Sequence, residues 1–281
     1  MHKLIRWLAV VAAFAGFAVH GAYGQVLYAA DGQGGTPGNL YIINPATGAI
    51  VQTIGPIGFA VTGMAFHPGT GVLYGTTGAE IDPPALIQIN TATGAGTLIG
   101  NNTNGPIADI TFRADGTLFG WTEDTDDLVT VNIATGVETV VSDSGISTAG
   151  SGIAFSPSGT LFFTGSNSNG ALRTINPATG APTTVVTMTG GPTSNRINAL
   201  AFNSAGVLYG SLKQSPGDVL ITINTTTGVI TTVGALPPGI DAIAFAPAAA
   251  EQVAVPTLSE WAVVALGLLI AGSFLLLRRR V

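Results

Sequence analysis

The stretch "GMAFHPGTGVLYG", residues 63–75, carries the pattern that decides the fold of this chain. A short apolar run ends at Phe66, a turn rich in Pro and Gly follows, and a second apolar run leads to Gly75. Short apolar runs bounded by turn residues are typical of β-strands joined by a tight connection. The stretch therefore predicts a β-hairpin, and its other copies give the architecture.

This pattern returns four times along the chain. The copies are "DITFRADGTLFG" (109–120), "GIAFSPSGTLFF" (152–163), "ALAFNSAGVLYG" (199–210) and a final half copy, "AIAFAP" (242–247). A second pattern alternates with it: "INPATG" (43–48), "INTATG" (89–94), "VNIATG" (131–136), "INPATG" (175–180) and "INTTTG" (223–228). Its Asn bonds the main chain two residues on and its Gly supplies a positive φ, so this pattern predicts a second hairpin turn.

Together the two patterns give a unit of four short strands. The five Asn residues of the second pattern are 46, 42, 44 and 48 positions apart. That period and strand number are typical of a β-propeller blade. The chain is therefore predicted to be an all-β, five-bladed β-propeller of four-stranded blades over residues 25–247. An elongated stack of hairpins or a two-sheet sandwich is the alternative.

The two ends of the repeat region predict how the ring closes. "QVLYAADG" (25–32) matches the second strand of a unit, and "AIAFAP" matches a first strand with nothing after it. The termini should therefore share one blade, an arrangement that removes a free sheet edge. Within each first strand, small residues precede the Phe and should face the crowded axis. They are Ala65, Thr111, Ala154, Ala201 and Ala244, whereas large residues stand one position earlier, at Met64, Ile110, Ile153, Leu200 and Ile243.

Residues 1–24 read as a secretory signal peptide. Lys3 and Arg6 form a basic region, residues 7–19 are apolar, and Ala22 and Gly24 are small residues before the cleavage point. A permanent membrane anchor is the alternative, but the apolar run is short for a bilayer span.

The C-terminus carries a second apolar segment and a motif. Residues 261–277 are uncharged and long enough for a transmembrane helix, and three arginines that should stay on the cytoplasmic side follow: Arg278, Arg279 and Arg280. The preceding "VPTLSEW" comprises Val255, Pro256, Thr257, Leu258, Ser259, Glu260 and Trp261. Motif, helix and basic tail (255–281, after a linker at 248–254) resemble the IPTL-CTERM sorting signal of Gram-negative bacteria. That resemblance implies an exosortase-type membrane peptidase as partner; a simple permanent anchor is the alternative.

Composition excludes several classes of function. Only 9% of residues are charged, and the chain has no Cys, which removes disulfides and thiolate chemistry. Between positions 31 and 251 four basic residues face fourteen acidic ones. Nucleic acid is therefore not expected as a partner, because phosphate binding needs a basic surface. No cofactor is predicted. His67 is the only His after the predicted signal peptide, so neither a His-based metal centre nor a nucleophilic triad is expected.

Candidate site residues lie where the first strands begin. Four positions before each Phe stand Thr62, Ala108, Ser151, Asn198 and Asp241, and Asp109 lies one residue further on. Asp109, Asn198 and Asp241 form a candidate ligand or metal site, since Ca²⁺ prefers oxygen ligands. Solvated loop ends are the alternative. The acidic stretch "WTEDTDD" (121–127) lacks the Gly and Glu of an EF-hand loop and is predicted to be a solvated turn between two strands, with a surface Ca²⁺ contact as the alternative.

The "AFxPxGxLY" repeats resemble those of NHL-like and lactonase-like propellers over residues 25–247. The leading hypothesis is an exported protein of the cell envelope or surface, membrane-anchored before cleavage of its tail. Its non-enzymatic propeller would bind a protein or polysaccharide. The competing hypothesis, which follows the lactonase resemblance, is a metal-dependent hydrolase that uses Asp109, Asn198 and Asp241.

Overall fold

The computed structural model describes residues 25–32, 36–78, 83–146, 151–165, 170–191, 196–214 and 217–248. The chain divides after Pro247 into two units, and every described strand lies in the first. The strands in chain order are β1 (Leu27–Asp31), β2 (Asn39–Ile43), β3 (Ile50–Pro56), β4 (Val61–Phe66), β5 (Leu73–Thr77), β6 (Ala85–Ile89), β7 (Gly96–Asn101), β8 (Ile107–Phe112), β9 (Leu118–Thr122), β10 (Asp127–Val131), β11 (Glu138–Asp143), β12 (Ser151–Phe155), β13 (Leu161–Gly165), β14 (Ala171–Ile175), β15 (Pro182–Thr187), β16 (Ile197–Phe202), β17 (Leu208–Leu212), β18 (Val219–Ile223), β19 (Ile230–Ala235) and β20 (Ile240–Phe245).

These strands form five antiparallel sheets of four strands each. Blade 1 has the order β20-β1-β2-β3, and blades 2 to 5 are β4 to β7, β8 to β11, β12 to β15 and β16 to β19. The sheets follow one another around a closed ring, in which each innermost strand contacts the innermost strands of both neighbouring blades. The prediction of an all-β, five-bladed propeller is confirmed, and the two alternative architectures are wrong.

Blade 1 closes the ring by joining the two ends of the repeat region. Strand β20 pairs with β1, so that Leu27 lies opposite Phe245 and Ala29 lies opposite Ile243. The main-chain N–H of Ala246 adds a hydrogen bond of 2.9 Å to the carbonyl of Val26. The predicted sharing of one blade between the termini is therefore confirmed.

The Asn-x-x-Thr-Gly turns connect the third and fourth strands of each blade. In the turn of blade 2, Asn90 Oδ1 accepts the N–H of Ala92 at 2.8 Å and the Gly94 N–H donates to the Asn90 carbonyl at 2.8 Å. Gly94 has a φ of +85°. A Cβ at this position would also lie 2.4 Å from the carbonyl oxygen of Gly55 on blade 1. Glycine is required here both by backbone geometry and by the close approach of the preceding blade.

Each blade is joined to the next by an aromatic pair. The ring on the second strand of one blade meets the Phe that ends the inner strand of the next, at centroid distances from 5.1 to 5.5 Å. The pairs are Tyr28–Phe66, Tyr74–Phe112, Phe119–Phe155, Phe162–Phe202 and Tyr209–Phe245. Edge-to-face and tilted pairs of this kind add to the stabilisation from burial. The fifth pair connects blade 5 to blade 1 and so completes the circle.

The outermost strand of every blade contains a β-bulge. In every blade one residue is skipped at the same place in the pairing with the third strand, and in blade 2 that residue is Ile99. The equivalent positions elsewhere are Ile54, Val141, Val185 and Val233. A bulge redirects a side chain that would otherwise point away from the core. Ile99 accordingly packs against the buried apolar cluster that includes Ile107 and Val129.

The predicted signal peptide (1–24), the linker beyond Ala248, the sorting motif and the predicted helix at 261–277 lie outside the described residues. Within the described part of the chain, no helix has the length and apolar character needed to cross a membrane.

The closed ring makes the last strand essential for stability. We expect a chain ending after Pro238 to lose most of its thermal stability, because it lacks β20 and leaves the edge of β1 unpaired. A chain ending after Glu251 keeps β20 and should melt close to the full chain. The comparison is made by thermal unfolding followed by circular dichroism. Equal melting temperatures for the two truncated chains would contradict the closed ring.

Candidate functional site

The candidate residues lie at irregular points of the inner strands. Thr62, Ala108, Asn198 and Asp241 are each skipped in the pairing with the second strand of their blade, whereas Ser151 is paired regularly. A bulge at a strand end aims the side chain in a new direction, and bulges are frequent beside functional sites. These five positions define one end of the central channel, which we call the entrance.

Asn198 and Asp241 meet at the entrance and share a third residue, Lys213. Asn198 Nδ2 donates to Asp241 Oδ1 at 2.7 Å, and Lys213 Nζ lies 2.7 Å from the same oxygen. The side chains of Lys213 and Asp241 are only 15% and 11% exposed. The Oδ1 of Asn198 is buried and has no hydrogen-bond partner in the described part of the chain. The cluster therefore has a buried acceptor, an ammonium and a carboxylate within one small region.

Asp218, at the start of blade 5's third strand, adds a second carboxylate near Lys213. Its Oδ2 accepts the N–H of Gly239 at 2.9 Å, and the residue is buried. Burial raises the pKa of Asp218, and the nearby Lys213 ammonium acts in the opposite direction. The negative charge of Asp241 also raises the pKa of Asp218, so these two carboxylates lie close enough to interact. The single ammonium of Lys213 balances both of them.

Asp109 does not join this cluster. Its side chain is completely buried on the channel axis, where Oδ1 accepts the N–H of Ile110 at 2.9 Å. Oδ2 accepts the N–H of Ile153 at 2.9 Å and that of Leu200 at 3.2 Å. Burial raises the pKa of Asp109 well above its ordinary value, while these three donors favour the charged form. The structure brings two of the three candidate residues together and gives the third separate main-chain partners.

The remaining entrance positions are occupied by smaller groups. Thr62 Oγ1 donates to the carbonyl of Ile107 on the next blade at 2.7 Å. Ala108 is buried, and the Ser151 Oγ is buried without a hydrogen-bond partner among the described residues. Thr62 therefore links two blades, whereas Ser151 leaves a hydroxyl next to the Asn198 side of the entrance.

The acidic stretch lies, as predicted, on the turn between β9 and β10. The Thr122 Oγ1 accepts the N–H of Asp127 at 2.8 Å, and Asp126 has a φ of +56°. Asp127 itself is largely buried. Nowhere in the described ranges do three or more His, Asp or Glu side chains converge in a way that could hold a metal ion.

His67 stabilises the loop that follows β4. Its Nδ1 accepts the N–H groups of Gly69 and Thr70 at 3.1 and 3.2 Å. Its ring packs edge-on against Phe112 at 5.0 Å. These contacts give the residue a local role in the turn.

Sequence reasoning missed Lys213 and Asp218. Both flank the connection between the second and third strands of blade 5, where the five repeats differ in length and offer no equivalent position. One signal was present: Lys213 is the only lysine after Lys3. In a chain with so few charges, a single lysine in the middle of the repeat region indicates a specific partner.

Comparison with known families matches two parts of the chain. Residues 253–280 match the IPTL-CTERM motif, and residues 147–245 match DUF6923, a repeat of unknown function. The predicted resemblance of the C-terminus to this sorting signal is confirmed. No curated protein matches the chain. The chain is thus a β-propeller with a C-terminal IPTL-CTERM motif, which is consistent with export and sorting to the cell envelope or surface.

Solved structures with similar folds come from varied proteins. A crystal structure of a nidogen/laminin complex has a TM-score of 0.55 at 15% identity, over 80% of this chain and 99% of that chain. TolB from Acinetobacter baumannii has a TM-score of 0.52 at 12% identity, over 80% and 67%. A protein of unknown function from Bacteroides thetaiotaomicron has a TM-score of 0.55 at 15% identity, over 74% and 55%. At such identities these similarities show the fold alone.

The entrance cluster makes a prediction about charge balance. Replacing Lys213 with Met leaves the carboxylates of Asp241 and Asp218 without their cation, so we expect a loss of about 2 kcal/mol at pH 7, less than for a fully buried pair. Burial already raises the pKa of Asp218 and the Lys213 charge lowers it, so without the cation this folded-state pKa rises further above that of the unfolded chain. The loss should therefore be small near pH 4 and grow as the pH rises.

Thermal unfolding of the full chain in detergent, followed by circular dichroism from pH 4 to 8, measures this loss. Asp115→Asn is the matched control, because it alters the exposed Arg113–Asp115 pair, which should contribute little. A Lys213→Met loss that is the same at all pH values would show that only packing by the lysine stem was removed.

Proposed function

We propose that this protein is an exported envelope or surface protein whose propeller is a binding module, with the Asn198–Lys213–Asp241 cluster at the entrance as its recognition site. The observation that carries the proposal is the mixed hydrogen-bonding capacity of that cluster. Asn198 offers a buried, unpartnered acceptor among the described residues, Asp241 a second carboxylate oxygen, and Lys213 further N–H donors. Because donors and acceptors lie this close together, the cluster is suited to bind a neutral group with several hydroxyls, each of which can both donate and accept.

A polysaccharide of the envelope is therefore the preferred ligand class, and a protein segment that presents main-chain amides is the alternative. The single ammonium of Lys213 lies 2.7 Å from Asp241 and near Asp218, so the cluster has no excess of positive charge and disfavours a strongly anionic ligand. The propeller supplies a rigid frame, because each entrance residue lies at the end of a strand paired within its blade.

A metal-dependent hydrolase receives less support from the same geometry. Calcium takes six to eight oxygen ligands, whereas Asp241 Oδ1 already contacts an ammonium and an amide. Both oxygens of Asp109 are engaged by main-chain N–H groups. These carboxylates have partners of opposite polarity within the chain, so binding is the better-supported role.

Binding should depend on the entrance cluster. We expect envelope polysaccharide from the native host to retain the full-length protein, and Asn198→Ala or Asp241→Asn to weaken retention at least tenfold. The reason is that each change removes an acceptor from the ligand. Asp115→Asn, on an exposed turn, is the control with unchanged retention. Retention that is equal for all variants would reject the entrance as the recognition site, and calcium-dependent lactone hydrolysis lost in Asp241→Asn would favour the enzyme.

The C-terminal motif makes a second prediction, about processing. We propose that an exosortase-type membrane peptidase recognises Pro256 and Thr257 and separates the propeller from the tail. A tag placed after Val281 should then be lost from the mature protein in the native host, and should stay attached when both residues are changed to Ala. Immunoblots against the tag and the propeller distinguish the two forms. A wild-type tag that stays on the full-length membrane protein would identify the segment as a simple anchor.

A further inference from the structure

The centre of the propeller is lined by main-chain groups that have no strand partner. Each inner strand pairs on one side only. The N–H of the residue after the final Phe bonds to the neighbouring strand, as His67 does to Val72 at 2.8 Å and Arg113 to Thr117 at 2.9 Å. Because antiparallel pairing alternates, the N–H groups of the Phe and of the residue two positions before it point away from that strand, toward the axis.

Asp109 occupies the middle of this set of N–H groups. Its carboxylate accepts from Ile110, Ile153 and Leu200, each of which stands two positions before a Phe. The three donors belong to the inner strands of blades 3, 4 and 5. The side chain is completely buried, and the contacts found for its two oxygens are all with main-chain N–H donors. A carboxyl group whose two oxygens only accept has the hydrogen-bonding pattern of a bound anion.

The other four blades have no acidic residue at the position of Asp109. The positions equivalent to Asp109 are Gly63, Gly152, Ala199 and Ala242. A Cβ on Gly63 would lie 2.7 Å from the Asp109 Cα, so the neighbouring strand has glycine where the two chains approach most closely. The ring therefore holds a single negative group surrounded by small residues.

We propose that the centre of this propeller is an anion-binding site built from main-chain N–H groups, which the Asp109 carboxylate fills from within the chain. The ligand class is a small monoanion with the size of a carboxylate, such as formate. Main-chain N–H groups that converge on one point are a recurrent means of binding anions in proteins. Here the anionic group is the side chain of Asp109 itself. Its hydrogen bonds connect the inner strands of blades 3, 4 and 5.

A cavity lies beside this point. A cavity of about 120 Å³ opens at the end of the channel where the Phe residues lie. Its walls include Ile110 and Leu200, which supply two of the three N–H donors, and Thr111, which follows Ile110. The cavity therefore borders two of the residues whose N–H groups hold the Asp109 side chain.

The experiment replaces Asp109 with Gly, the residue that blades 2 and 4 already carry there, in the full chain. Melting temperatures are measured in sodium gluconate, whose anion is too large for the ring, and in increasing sodium formate at constant ionic strength. We expect the Asp109→Gly chain to melt below wild type in gluconate. Its melting temperature should then rise with the logarithm of the formate concentration above the Kd, by about 5 °C at a hundredfold excess of formate over its Kd. Wild type and Ala242→Gly, which loses only a methyl group at the equivalent position, should not respond.

Asp109→Asn separates anion binding from simple filling of space. Its side chain has almost the same shape, but its NH₂ group faces N–H donors. We expect this chain to be less stable than wild type and insensitive to formate, because the site remains physically occupied. An asparagine chain as stable as wild type, or a glycine chain that formate does not stabilise, would overturn the proposal. A glycine chain that folds only in formate would support it, and one that folds in neither salt would overturn it.

Discussion

Five aromatic pairs hold the blades of this propeller in a circle, and the rest of the structure depends on them. Each pair joins the second strand of one blade to the inner strand of the next, with centroids 5.1 to 5.5 Å apart. A blade is a thin sheet with two apolar faces, and it becomes stable only when both faces are covered. The Tyr209–Phe245 pair covers the last face, which is why the chain must return to its first blade.

The fold was predictable because its determinants repeat. A Phe before each turn and a Gly at each hairpin appear at a constant period, and the half copies at the ends reveal the closure. The bulges were not predictable, since a skipped residue such as Asn198 leaves the sequence pattern unchanged. They decide the site: the bulge at Ala108 brings Asp109 opposite Trp121, in the position that Gly63 has in blade 2. The partner Lys213 lies in a connection that the repeats do not share.

A chain with 9% charged residues uses its buried charges sparingly, and it neutralises them in two different ways. At the entrance, the Asp241 carboxylate is balanced by the ammonium of Lys213 and by an amide. On the axis, the Asp109 carboxylate is held by three N–H dipoles without a cation. The first arrangement leaves hydrogen-bonding capacity for a ligand, whereas in the second both carboxylate oxygens of Asp109 are already engaged. That difference agrees with the recognition role proposed for the entrance and gives the centre an architectural one.

The pairing of β20 with β1 also sets the order of events during folding. This pair joins residues that are about as far apart in the chain as the domain allows, with Gln25 bonded to Ala246. Contacts of such long sequence separation form late and slowly. A chain that is synthesised from its N-terminus therefore stays an open arc until nearly the whole repeat region is available. Blades 2 to 5 are each built from consecutive strands, whereas blade 1 must wait for β20, so closure of the ring is the last step of folding.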